Sequence, residues 1–103
     1  MFGKFGDMLG KLGEIKKKIQ EVKDRMEATS IEISGASGDV KMTINGNRRI
    51  LKLDIAPALQ HGSKEELEKH LMETFNKAVA EADKKNEAEL KNAAGGFLPP
   101  GIL

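Results

Sequence analysis

Between Ser30 and Pro57 apolar and polar residues alternate nearly one for one, and on either side they recur every three or four residues. A period of two marks a strand with one buried face, and a period near 3.6 marks a helix with one buried stripe. The alternating stretch predicts three strands. Ile31 and Ile33 share a face, as do Val40, Met42 and Ile44, and as do Leu51, Leu53 and Ile55. The breaks at Gly35–Asp39 and Asn45–Asn47 carry residues that tolerate positive φ. The reading is a three-stranded antiparallel meander over 30–56, with one apolar face that another layer must cover.

Before the meander, Phe5, Met8, Leu12, Ile15, Ile19, Val22 and Met26 follow one another in steps of 3 and 4, a heptad seam. A helix is expected over 11–28. Gly3, Gly6 and Gly10 predict a flexible, frayed entry over 1–10, because glycine weakens a helix by about 1 kcal/mol relative to alanine. After the meander, Ser63-Lys64-Glu65-Glu66 has the form of a capping box. A long helix is expected over 63–94, with Leu67, Leu71, Phe75, Ala78 and Ala82 as its stripe and Met72 and Val79 beside it. The stripe fades after Ala82, Gly95-Gly96 is expected to stop the helix, and 95–103 reads as an irregular apolar tail.

The expected fold is therefore α+β, in the order α-β-β-β-α, as a single domain over 1–103. A strand of seven residues spans about 23 Å, whereas a helix of some 30 residues spans about 45 Å. Both helices must outrun the sheet and leave apolar seams uncovered in a lone copy. A homodimer with a shared central body and projecting helical arms answers that difficulty.

Composition narrows the chemistry. There is no cysteine, Trp or Tyr, which removes disulfides, thiolate nucleophiles and an aromatic platform for stacking single strands. No apolar run approaches a membrane span, and no secretion signal is read at the N-terminus, so a cytoplasmic protein is expected. The net charge of +1 hides a gradient: residues 1–25 hold seven Lys/Arg against four Asp/Glu, and residues 64–103 hold six Lys against eight Asp/Glu. His61 and His70 are the only histidines and suggest no metal site. Gly35–Asp39 lacks the Lys-Ser/Thr of a phosphate loop. No catalytic constellation is visible, so neither an enzyme nor a cofactor is expected.

The basic flanks of the heptad seam are the sharpest feature. Lys11, Lys18 and Arg25 line one side and Lys16 and Lys23 the other, with Lys17 nearby. These six could neutralise phosphates on a duplex. On the pattern alone, a solvated face with pairs such as Glu14–Lys18 and Glu21–Arg25 is favoured. Lys84, Lys85 and Lys91 form a second, weaker candidate group, interleaved with Glu81, Asp83, Glu87 and Glu89. Arg48, Arg49, Lys41 and Lys52 on the meander read as cross-strand and solubility charges.

The order of several short motifs resembles the YbaB/EbfC family of small bacterial nucleoid-associated proteins. They are Met1-Phe2-Gly3-Lys4, Gly35-Ala36-Ser37-Gly38, Val40-Lys41-Met42-Thr43-Ile44-Asn45-Gly46-Asn47, Leu53-Asp54-Ile55-Ala56-Pro57, Glu66-Leu67-Glu68, Phe75-Asn76-Lys77-Ala78, Gly95-Gly96 and Pro99-Pro100-Gly101. The resemblance covers almost the whole chain. It implies a tweezer-like homodimer that binds double-stranded DNA on the nucleoid, with effects on nucleoid organisation and gene expression. The alternative expectation is a protein-interaction adaptor for recombination or replication factors. A small dimeric enzyme is a distant third.

Overall fold

The computed structural model describes residues 2–94 of the chain, with side chains described from 6 to 93. The elements are α1 (Phe2–Ala28), β1 (Ser30–Gly35), β2 (Val40–Asn45), β3 (Ile50–Ile55), α2 (Pro57–Gln60) and α3 (Lys64–Ala94). The fold is α+β, with the expected α-β-β-β-α order and two extra helical turns, α2 and a 3-10 turn at Ala36–Gly38. The three strands form an antiparallel meander with β2 in the middle.

Two elements differ from the sequence reading. The first helix begins at Phe2, not near Lys11. No heavy atom lies within 4 Å of where a Cβ would stand at Gly6, Gly10 or Gly13. These glycines face open space and weaken the helix only by their intrinsic propensity, and no proline or competing cap stands between Phe2 and Lys11 to end it. Secondly, Pro57–Gln60, left between the meander and the long helix in the sequence reading, is a helical turn. Ala56 is extended, as a residue before proline prefers, and Pro57 supplies a ready-made first helical position. The turn buries Leu59. The helix stop at Gly95-Gly96 and the tail lie outside the described residues.

Ile31 stands opposite Ile44, Ile33 opposite Met42, Val40 opposite Ile55 and Met42 opposite Leu53. One face of the sheet is therefore apolar. The other pairs Lys41 with Asp54 and Thr43 with Lys52. A register shift between Thr43 and Ile44 sets Ile44 against Ile50 and leaves Leu51 as the extra residue of a bulge.

α3 covers this apolar face off-centre. Ala78 and Ala82 pack with Ile33, Met42 and Ile44, and Ile31 and Phe75 flank them. Alanine at the contact lets the helix axis approach the sheet closely. A helix about 10 Å across spans two strands spaced about 4.8 Å apart. α3 lies on β1 and β2, and β3 is left bare: Ile50, Leu51 and Leu53 are 44–51% exposed.

Close approach also explains two glycines. A Cβ on Gly35 would stand 3.2 Å from Thr74 Cβ and would collide with Thr74 Oγ1. A Cβ on Gly46 would stand 2.9 Å from Met26 Cβ and 3.1 Å from Met26 Cα. These contacts bracket the stretch of α3 over the sheet, from Thr74 near Gly35 to Asn86 at Gly46. Twelve residues of helix rise about 18 Å, close to the length of a six-residue strand. The rest of α3 overhangs, and past Asn86 it runs beside α1. The molecule is elongated, 70 × 24 × 16 Å, with a radius of gyration of 19.5 Å. A compact globule of this length would have about 13 Å, so the helices project.

Candidate nucleic-acid interface

The basic surface of α1 is placed by a polar knot at the β2–β3 turn. Asn45 is fully buried. Its Oδ1 accepts from the Asn47 and Arg49 N–H groups at 2.9 Å each, and its Nδ2 donates to the Glu27 carbonyl at 3.3 Å. The Gly46 N–H donates to the Met26 carbonyl at 2.9 Å. Asn47 Nδ2 donates to the Lys23 carbonyl and to Glu27 Oε2, both at 2.9 Å. From the other side, Asn86 Nδ2 of α3 donates to the Gly46 carbonyl at 3.1 Å. One three-residue turn thus satisfies exposed carbonyls at the end of α1 and ties both helices to the sheet.

Ion pairs surround the knot. Arg49 Nη1 lies 3.4 Å from Glu27 Oε1, and Arg48 pairs with Asp83 of α3. The Glu27 carboxyl is held below its ordinary pKa of 4.5, chiefly by the Asn47 hydrogen bond and further by Arg49, against an opposing desolvation contribution. The sequence reading took Asn45–Asn47 as turn residues only and missed this network. The visible signal was two asparagines flanking a glycine directly after a buried strand.

The candidate cations separate into two groups. Arg25 Nη2 pairs across to Glu89 Oε2 of α3 at 2.9 Å, in place of a pair with Glu21 on its own helix. Lys85 Nζ lies 3.7 Å from the same Glu89, and Lys84 Nζ lies 3.6 Å from Glu81. Lys11, Lys16, Lys17 and Lys23 of α1 and Lys91 of α3 are exposed and form no ion pair among the described residues. Lys18 is exposed and lines a shallow cleft with Glu21, Val22, Arg25, Asn92 and Ala93, where α1 and α3 run side by side. Lys11, Lys16, Lys17, Lys18 and Lys23 thus stand on one projecting helix, Arg25 crosses to α3, and Lys84 and Lys85 pair with carboxylates of their own helix.

Other chemistry is sparse. Among the described residues, no group of three or more His, Cys, Asp or Glu is placed to hold a metal ion. His61 is exposed, and His70 Nδ1 lies 3.7 Å from Glu73 Oε2 on the same helix. No helix among them is long and apolar enough to cross a membrane.

The described residues thus form a single sheet with one uncovered edge strand and a projecting helix along which Lys11, Lys16, Lys17, Lys18 and Lys23 are exposed. The family model described as the YbaB/EbfC DNA-binding family matches residues 1–97. The chain belongs to that family, and with it to the DNA-binding, nucleoid-associated proteins of bacteria. The family is a DNA-binding family and not an enzyme family. The chain is also similar to the uncharacterized protein HP0035 from Helicobacter pylori, seen in a crystal structure. The TM-score is 0.72 at 25% identity, over 92% of this chain and 97% of that one.

Proposed function

We propose that the protein binds double-stranded DNA as a homodimer on the nucleoid, in the cytoplasm, chiefly through phosphate contacts from α1, and so influences nucleoid organisation and gene expression. Family membership over residues 1–97 is the observation that carries DNA binding. The contact residues we assign are Lys11, Lys16, Lys17, Lys18 and Lys23, with Lys91 at the end of α3 as an accessory. They stand on a rod that projects from the sheet, at the rise of 1.5 Å per residue that lets several lysines meet successive phosphates. Arg25 is assigned to holding α1 against α3, because Glu89 engages it across the two helices, and Lys84 and Lys85, paired with carboxylates of their own helix, are left out of the contact set.

The homodimer is supported by the bare strand. Ile50, Leu51 and Leu53 on β3 and Met72 and Val79 on α3 are exposed. Arg48, in the turn that leads into β3, pairs with Asp83, one turn beyond Val79. That pair sets the flank of α3 carrying Met72 and Val79 above the uncovered side of β3. A second copy that covered both apolar strips would bury them.

The test is charge reversal. The variant Lys16→Glu, Lys17→Glu, Lys18→Glu is expected to lose the duplex gel shift while keeping the dimer mass of the parent chain. Retention of the shift would remove α1 from the assignment. An adaptor for recombination or replication factors, the second reading, would show no shift at moderate salt for the parent chain either.

A further inference from the structure

The heptad seam of α1 is used along only part of its length. Its lower part, Val22 and Met26, is completely buried where α3 lies alongside. Its upper part continues with the same spacing through Ile19, Ile15, Leu12 and Met8. There Ile19 and Ile15 are half-buried, Leu12 is 52% exposed and Met8 62%. α3 reaches only the level of Lys18 and Glu21 with Asn92 and Ala93.

We propose that this upper seam is a docking site for an amphipathic helix with acidic flanks, supplied by a protein partner. The occupied part shows what the seam accepts. There it takes a helix, and the basic row beside it meets a carboxylate of that helix, Arg25 with Glu89 at 2.9 Å. The open part continues the basic flanks, with Lys11 on one side and Lys16 on the other. A second copy of α1 would bring lysines against lysines, because both flanks of the seam are basic. An anionic lipid surface calls for a broad apolar face, whereas a two-row seam is the width of a helix–helix contact. The glycines at 6, 10 and 13 point into open space, so this segment has weak helical propensity of its own and gains order when the seam is covered.

The docking site does not rest on the DNA reading, although the two share lysines and are expected to compete. The test uses the full chain and a labelled synthetic peptide of three heptads, with Leu at a and d and Glu at e and g, followed by fluorescence anisotropy. Saturable binding is expected, weakened about tenfold or more by Leu12→Asp and much weaker for a peptide with Lys at e and g. Leu12 lies beyond the reach of α3, so the parent far-ultraviolet circular dichroism spectrum should persist in the variant. Equal affinity for the two peptides, or indifference to Leu12→Asp, would overturn the proposal. So would absence of peptide binding combined with Leu12-dependent binding to phosphatidylglycerol vesicles. A chain ending at Ala94 is expected to bind the peptide unchanged; a tenfold gain would make residues 95–103 the natural occupant and overturn the partner. A chain that shifts duplex DNA normally but ignores the peptide would refute this proposal alone.

Discussion

Glu27 couples the fold to acid. Its carboxylate receives the Asn47 amide and faces Arg49, so its folded pKa lies below the unfolded value. A depressed pKa contributes stability that is present above the unfolded pKa and is lost as pH falls through the folded one. Thermal unfolding followed from pH 7 down to pH 3 should therefore show a decline beginning near pH 4.5, and Glu27→Gln should flatten it. An unchanged acid limb in that variant would place the sensitivity elsewhere. Gly35 makes a second residue-scale claim. Gly35→Ala drives a Cβ into Thr74 and should destabilise by about 1–3 kcal/mol. Adding Thr74→Ala should return part of that loss, whereas strictly additive denaturation midpoints would contradict the contact. The glycines of the turns were legible as turns, but their reason was not. Among the described glycines only Gly38 has positive φ, at 95°; Ala36, Ser37 and Arg48 take left-handed positions as well, at 51°, 57° and 68°. Gly35 and Gly46 are small because a helix passes over them, and that contact between distant elements has no signature in local spacing.

Among the elements, strand alternation and heptad spacing carried the fold order, since both are local periodicities set by which face is buried. The length of α1 was not legible. Gly3, Gly6 and Gly10 read as an interruption, yet the helix runs through them, and Gly6 and Gly10 sit on its open side. The unequal burial of the α1 seam was not legible either, because nothing in the heptads marks where α3 stops. That inequality can be measured. Val22→Ala removes a side chain that is fully enclosed and should cost about 1–3 kcal/mol by loss of buried area and creation of a cavity. Leu12→Ala, a larger truncation, should cost well under 1 kcal/mol in the unliganded chain because Leu12 is half exposed. Urea midpoints of the two variants in the reverse order would contradict the described packing of the helices. The basic rows were visible as a pattern, but only the fold sets Arg25 against Glu89 of α3 instead of Glu21 on its own helix.

At the scale of the whole molecule, one sheet and two projecting helices leave more apolar surface than a chain of this size can easily leave wet. The bare strand β3 is the proposed seat of the second copy. Leu51→Asp with Leu53→Asp should convert a dimeric sedimentation profile to a monomeric one, and a persistent dimer would move the interface off β3. The central claim joins the DNA-binding family to the lysines of α1. It is tested most directly by titrating a short duplex with the parent chain and with the Lys16→Glu, Lys17→Glu, Lys18→Glu variant across a series of salt concentrations. Each phosphate neutralised contributes about −0.9 to the slope of log affinity against log salt. The parent chain should show a steep slope, and the variant a slope shallower by about 3 for each engaged helix, or no measurable binding. Equal slopes and affinities for the two chains would contradict the account.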